Sequence, residues 1–281
     1  MDLAIGLPNA VPRTTGSQLT EWAKRADARG FSSLGTIDRI VYENYEPTAA
    51  LAAAAAVTER IGLCTSVLLG PLRPNAAELA KRALSLQALS AGRFTLGIGI
   101  GAREDDYEAS GIEMRNLGAR LDATLERIRE VWSGGEIGPS IEGAPRILVG
   151  GGVDASFERA ARFGDGWIAG GSGPEVFAES VPKVRAAWAE AGRDGEPRLV
   201  GLAYCSLGPR AAENAEDYLG HYYAWLGDDL AGMIAAGTAK DADAIGKCLA
   251  DFEAAGCDEL ILFPCSNDPE QVDLLAEAAG L

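Results

Sequence analysis

The 281 residues predict an α/β protein, a (β/α)8 TIM barrel built as a single domain over residues 1–281. Three observations carry that expectation. Eight short apolar runs stand along the chain, and a helical pattern follows each. The runs are mostly continuous instead of alternating, as parallel strands covered on both faces require. The length suits a barrel of about 250 residues closed in one domain, and no linker splits the chain. Eight βα units favour closure over an open doubly wound sheet.

The predicted strands are Leu3 to Leu7, Ser33 to Ile37, Ile61 to Leu68, Phe94 to Ile100, Arg146 to Val149, Gly166 to Ala169, Leu199 to Ser206 and Glu259 to Phe263. After the third, Asn75 is a helix cap with Glu78 three residues on, a capping-box spacing. Leu79, Ala83 and Leu86, with Ala80 and Leu84, then recur at helical spacing, and Gly92 suits the exit. After the fourth, Leu121, Leu125, Ile128 and Trp132 form a second stripe, ended by Gly134. The last helix opens at Asp268-Pro269, a cap followed by proline in the first helical position. Two longer insertions interrupt the rhythm, Ala102 to Asn116 after strand four and roughly Gly208 to Asp241 after strand seven. Connections after barrel strands build the active-site face. The second insertion carries His221, Tyr222, Tyr223 and Trp225. It reads either as a lid or substrate-facing wall, or as an ordinary packed helix.

Composition excludes several partners. The formal charge of −16 repels phosphate backbones and anionic lipid, so neither nucleic acid nor a membrane surface is expected to bind. The N-terminus shows no basic stretch leading into a long apolar one, and no window of about 18 apolar residues occurs, so the expected location is cytoplasmic. Five cysteines without a C-x-x-C pair read as free thiols in a reducing compartment.

Elimination narrows the chemistry. His221 is the only histidine, and no G-x-S-x-G elbow is present, so a nucleophile relay has little to stand on. A histidine metal site is impossible. Only Asp38 sits clearly at a strand end among the acids, since Glu104, Asp105 and Asp106 read as loop. The five lysines fall in or near helical patterns, which leaves Schiff-base chemistry without a residue at the barrel mouth. Such a barrel imports its reactivity, and an organic cofactor is the natural source. Gly150-Gly151-Gly152 after strand five and Gly170-Gly171-Ser172-Gly173 after strand six each precede a helix. Glycine lets backbone N–H groups approach an anion, and a helix N-terminus favours negative charge. Two such loops on neighbouring strands are a candidate phosphate cradle; each alone is also a common turn.

The motifs then resemble a known family. Pro74-Asn75-Ala76-Ala77-Glu78-Leu79-Ala80-Lys81 followed by Leu89-Ser90-Ala91-Gly92-Arg93-Phe94-Thr95-Leu96-Gly97-Ile98-Gly99-Ile100-Gly101 is similar to the long signature of the luciferase-like monooxygenases. Pro145 to Gly151 and Ala160 to Trp167 resemble the second signature. The likeness runs from Ile5 to about Leu275. It implies FMN or the deazaflavin coenzyme F420 at the barrel mouth, a small organic substrate, and a homodimer or larger assembly. Deazaflavin members similar to the sugar-phosphate dehydrogenases carry a T-S-V run after strand three, with a cis Ser–Val peptide behind the cofactor ring. Thr65-Ser66-Val67 matches it.

By the same resemblance Gly151, Gly152, Gly171 and Ser172 hold the cofactor phosphate, and Thr65, Ser66, Val67, Gly101, Arg103, Gly170 and Gly173 complete the expected cofactor-binding set, with Arg103 among the polar groups of the pocket. Asp38 matches the acid ending strand two, and Arg39 stands where many relatives have histidine. Arg39 either binds an anionic or carbonyl substrate group or pairs with Glu43. His221 is a possible general base or a surface residue. Ala102 and Gly173 replace a glutamate and a lysine of the sugar-phosphate dehydrogenases, which argues against that substrate. The expected function is hydride transfer or oxygen insertion by a flavin-type cofactor, with Asp38, Arg39 and His221 as candidate catalytic residues. A barrel that binds flavin without turnover, or a redox-free phosphate-binding lyase or isomerase, remains as an alternative.

Overall fold

A computed structural model describes residues 1–281. Its strands are β1 (Asp2–Gly6), β2 (Ser33–Thr36), β3 (Gly62–Thr65), β4 (Leu68–Leu69), β5 (Phe94–Gly99), β6 (Arg146–Gly150), β7 (Gly166–Ile168), β8 (Arg198–Cys205) and β9 (Glu259–Pro264). All pair in parallel, in the order β3-β2-β1-β9-β8-β7-β6-β5-β4, and β3 also pairs with β5, which closes the sheet. The ninth strand is a division of the third predicted one. The Ser66–Val67 peptide between β3 and β4 is cis, as the resemblance implied. The fold is therefore an eight-stranded (β/α)8 barrel.

The helices are α1 (Gly16–Arg29), α2 (Pro47–Ala55), α3 (Ala76–Leu89), α4 (Glu104–Ala109), α5 (Leu117–Gly134), α6 (Asp154–Phe163), α7 (Gly173–Glu190), α8 (Ala211–Tyr222), α9 (Asp228–Ala236), α10 (Ala242–Ala254) and α11 (Glu270–Ala279). Asn75 caps α3 by accepting from the Glu78 N–H at 3.1 Å. Leu79, Ala80, Ala83, Leu84 and Leu86 are buried, as the helical spacing demands. Leu121, Leu125 and Ile128 are buried on α5 in the same way. The outer core lies between barrel and helices and includes Trp22, Phe31, Leu51, Phe94 and Phe252. No helix is long and apolar enough to cross a membrane.

Three local readings need correction. Glu104, Asp105 and Asp106 open α4 and do not form a loop; three acids in a first turn suit the positive end of the helix dipole. The last helix begins at Glu270, with Pro269 in the cap position and the Asp268 carboxylate accepting the Glu270 N–H at 3.0 Å. Arg39 does not meet Glu43, which takes the Arg13 N–H instead at 2.9 Å.

Both insertions are helical. The first holds α4. The second holds α8 and α9, and Tyr218, Leu219 and Tyr222 of α8 pack with Ile37, Phe263 and Cys265 in the inner core. It is thus a packed helix whose C-terminal aromatics face the barrel mouth.

Candidate active site

The loops after β2, β3 and β5 and the end of α8 meet at a cavity of about 200 Å³. Asp38, Arg39, Ser66, Val67, Gly101 and Arg103 line it, with Asp106, Tyr222, Tyr223 and Trp225 opposite. Six of the sequence-predicted residues are therefore brought together.

Arg39 is the best-held group there. Its Nε donates to Asp106 at 2.6 Å, and its Nη2 donates to Asp105 at 3.1 Å and to the Val41 carbonyl at 3.1 Å. Its Cζ lies 5.6 Å from the Tyr42 ring centre and 5.7 Å from that of Tyr222, within cation–π range. Burial alone would weaken its charge, but Asp106 outweighs that and holds the guanidinium above its ordinary pKa. The Nη1 group is buried and has no partner. The Ser66 hydroxyl, in the same wall, is also buried without one. Buried donors are rarely left unmet, and such pairs point to a missing acceptor.

Asp38 is spoken for. It is 1% exposed, pairs with Arg73 at 2.5 Å and accepts the Leu69 N–H at 2.8 Å. Burial pushes its carboxyl up, against the pull of Arg73. It ties the β2 loop to β4, a positioning duty.

Asp106 plays the same part across the β2 and β5 loops. Besides Arg39 it accepts the N–H groups of Ile40 at 2.9 Å and Val41 at 2.7 Å. The Arg103 hydrogen bond holds Asp105 below the usual carboxylate range. Arg103 also donates to the Tyr222 carbonyl at 3.3 Å and lies over Trp225 at 5.1 Å. Sequence reasoning missed Asp106 and Arg73; their ion-pair partners lie 67 and 35 residues away, beyond the reach of any local pattern.

The phenols are donors at neutral pH. Burial pushes Tyr42 up to about 12, and raises Tyr204, Tyr222 and Tyr223 as well. With both wall carboxylates engaged, the cavity is rich in donors and holds no free base.

His221 lies outside. It is exposed, does not line the cavity, and meets the Tyr42 hydroxyl through Nδ1 at 3.1 Å. Thr65 is fully buried and donates to the Gly97 carbonyl at 2.7 Å. The Val67 side chain fits only because Gly99 and Gly150 lack a Cβ, which would come within 2.9 Å of its methyl groups in each case.

The glycine loops sit on adjacent strands, since Gly150 of β6 pairs with Ile168 of β7. A Cβ at Gly152 or Gly170 would meet nothing within 4 Å, so their backbone is open. The Ser172 side chain does not cap α7, which leaves the first-turn N–H groups to another acceptor. Gly171, Ser172 and Gly173 line a second cavity with Tyr204. Tyr204 and Tyr223 join hydroxyls at 2.8 Å, and their pair spans the walls of both cavities. Gly151, Gly152 and Gly170 line neither.

The model of the luciferase-like monooxygenase family matches residues 1–256. The chain belongs to that family. Among curated relatives, an uncharacterized protein of Mycobacterium tuberculosis is 34% identical over 210 residues, 61% of this chain and 71% of that one. An F420-dependent glucose-6-phosphate dehydrogenase of Kribbella flavida is 29% identical over 221 residues, 70% of this chain and 66% of its own. An F420-dependent secondary alcohol dehydrogenase, solved with an F420–acetone adduct, superposes with a TM-score of 0.84 at 18% identity, covering 99% of this chain and 98% of the other. An FMN-bound type II Baeyer–Villiger monooxygenase component from Pseudomonas putida gives 0.74 at 19% identity, covering 98% and 96%. These two similarities in structure show the shared barrel. The sequence relatives thus include an F420-dependent dehydrogenase, and the structural neighbours include one protein solved with F420 and one with FMN.

Proposed function

We propose that this family member is an F420-dependent oxidoreductase that exchanges a hydride with a carbon of a small organic substrate bearing a carbonyl or hydroxyl oxygen. The carrying observation is the pair of unpartnered buried donors, Ser66 Oγ and Arg39 Nη1, in the wall of one cavity. An oxygen acceptor on cofactor or substrate would satisfy them, and each hydrogen bond from a charged donor is worth about 1.5–3 kcal/mol. The Thr65-Ser66-Val67 run and the F420-dependent relatives support the deazaflavin over FMN.

Bound here, F420 would supply a hydride donor or acceptor that does not readily activate O2. Gly151, Gly152, Gly171 and Ser172 would hold its phosphate, with Gly170 and Gly173 shaping the loop. Val67 and Gly101 would back the ring. At 200 Å³ the cavity falls below the about 300–1,000 Å³ of enclosing ligand pockets, so it suits the reacting edge, with the glycine loops outside it. Arg39 and Ser66 would hydrogen-bond developing negative charge on the substrate oxygen, the role of a preorganised donor pair. Tyr222, Tyr223 and Trp225 would keep water out. The protein is expected to act as a homodimer.

The test is a paired assay with neutral ketones and alcohols. Reduced F420 with a ketone, or oxidised F420 with an alcohol, should turn over without O2 consumption. Turnover only with reduced FMN and O2, yielding an oxygenated product, would overturn the deazaflavin assignment.

A further inference from the structure

A third cavity, of about 350 Å³, lies at the end of the barrel opposite the mouth. Its lining includes the first residues of β1, β2, β3, β5, β6, β8 and β9, and it shares no residue with the candidate active site. Its size falls within the range of small-molecule sites. In a chain of formal charge −16, the acids around it are all engaged. Arg198 donates to Asp2 at 3.0 Å and to Glu259 at 3.1 Å, and Glu259 also accepts from Ser32 at 2.6 Å and Ser33 at 2.9 Å. Asp165 accepts from Arg129, which stands outside the lining, at 3.2 Å and from the Ile147 N–H at 2.7 Å.

Two arginines of the lining are left without a carboxylate. Arg93 gives its guanidinium to the carbonyls of Ser90, Ile61 and Thr58, and burial lowers its pKa. Arg146 is exposed at the rim and forms neither a hydrogen bond nor an ion pair. Neutral donors stand with it. Gln87 is 6% exposed, and its Oε1 accepts the Phe94 N–H at 2.9 Å, which fixes the amide and leaves Nε2 unpartnered in the cavity wall. The Thr95 hydroxyl, also in the wall, makes no hydrogen bond. Thr95 and Arg146 are partners in register on β5 and β6, so their side chains leave the sheet on the same face. A free guanidinium, an amide N–H and a hydroxyl in one wall match an oxyanion, which accepts from all three.

We infer that the N-terminal opening of the barrel is a binding site for a small oxyanion, a phosphate group held by Arg146, the Gln87 amide and the Thr95 hydroxyl. The inference is independent of the function proposed above, because the two sites lie at opposite ends of the barrel. An anion that binds the folded chain alone stabilises it by mass action, which suits a face of the barrel given to stability and not to chemistry.

The experiment is isothermal titration calorimetry of the full chain with inorganic phosphate and with glycerol 3-phosphate, at fixed ionic strength so that screening stays constant. Wild type should bind phosphate saturably. Arg146→Gln, at an exposed position, should weaken it by about tenfold or more, and Thr95→Val by about fivefold. Ser172→Trp, in the loop assigned to the cofactor phosphate at the other end of the barrel, should leave it unchanged. Glycerol 3-phosphate binding more tightly than phosphate, and losing that affinity in Arg146→Gln, supports a phosphate monoester as the occupant; phosphate binding more tightly, with the same loss, supports the free ion. No saturable binding of either probe by wild type would overturn the inference, as would affinity within about twofold of wild type in Arg146→Gln. Loss of phosphate binding in Ser172→Trp with full binding by Arg146→Gln would also overturn it, since the anion would then sit on the loops at the mouth.

Discussion

Asp106→Asn is the sharpest perturbation of the site's framework. The Asp106 side chain is 1% exposed and that of Arg39 4%, so the pair is shielded from solvent. Asparagine keeps one oxygen for the Ile40 and Val41 N–H groups but turns an amide NH2 toward Arg39 Nε. Breaking a buried ion pair from one side costs about 3–5 kcal/mol. Asp105 still reaches Arg39 at 3.1 Å, and its side chain is 36% exposed, so the loss belongs at the lower end, about 3 kcal/mol. Arg39→Met leaves the Asp106 carboxylate with two backbone donors and should cost about 2 kcal/mol. The double variant buries neither charge and should lose about 3 kcal/mol instead of about 5, a coupling of about 2 kcal/mol. Urea unfolding at pH 7, followed by tryptophan fluorescence, reads all three. A loss below about 1 kcal/mol for Asp106→Asn, or strict additivity, would refute the view of Asp106 as the anchor of Arg39.

Three further predictions follow from the same geometry. Ser66→Ala removes a buried hydroxyl that has no partner, so urea stability should hold or rise while F420 or substrate affinity falls by about tenfold; a parallel loss of stability would mean the hydroxyl is bonded within the fold. His221→Asn should change turnover by far less than the about 100-fold that general acid–base catalysis supplies, because His221 is exposed and off the cavity wall; a 100-fold loss would restore it as the base. Burial pushes Tyr42 and Tyr107 up to about 12 from an ordinary 10. A phenol whose folded pKa is raised contributes stability that is whole below pH 10 and lost as pH climbs through 12. Urea midpoints should therefore fall between those limits; in a Tyr45→Phe background, which removes the exposed tyrosine, phenolate absorbance should appear only on unfolding, and an early phenolate signal from that folded variant would contradict the burial argument.

The barrel was legible because its strands are continuous apolar runs, and each predicted run overlies an observed strand. The break in the third strand, between Thr65 and Leu68, coincides with the polar pair Thr65-Ser66, but two polar residues inside an apolar run are too short an interruption to divide a strand on hydrophobicity alone. The start of α4 carries a signal in its three acids, but it has neither an apolar stripe, which a six-residue helix cannot display, nor a side-chain cap to mark it. Pairing Arg39 with Glu43 assumed neighbours in sequence meet; in the irregular segment after β2 they do not, and Arg39 reaches Asp106 across 67 residues instead. The mouth residues Asp38, Arg39, Ser66, Val67, Gly101 and Arg103 came from strand ends and motif resemblance and do converge. The lid question resolved physically: α8 packs by Tyr218 and Leu219, and its end presents Tyr222 and Tyr223 to the cavity.

The most direct test of the cofactor assignment is a titration of the purified protein with F420 and with FMN, separately, followed by absorbance and fluorescence. The account predicts saturable binding of F420, weaker binding of FMN, and loss of both when Gly152 or Ser172, at which the backbone is open or uncapped, is replaced by a bulky side chain. Binding of neither at high micromolar concentration would contradict it.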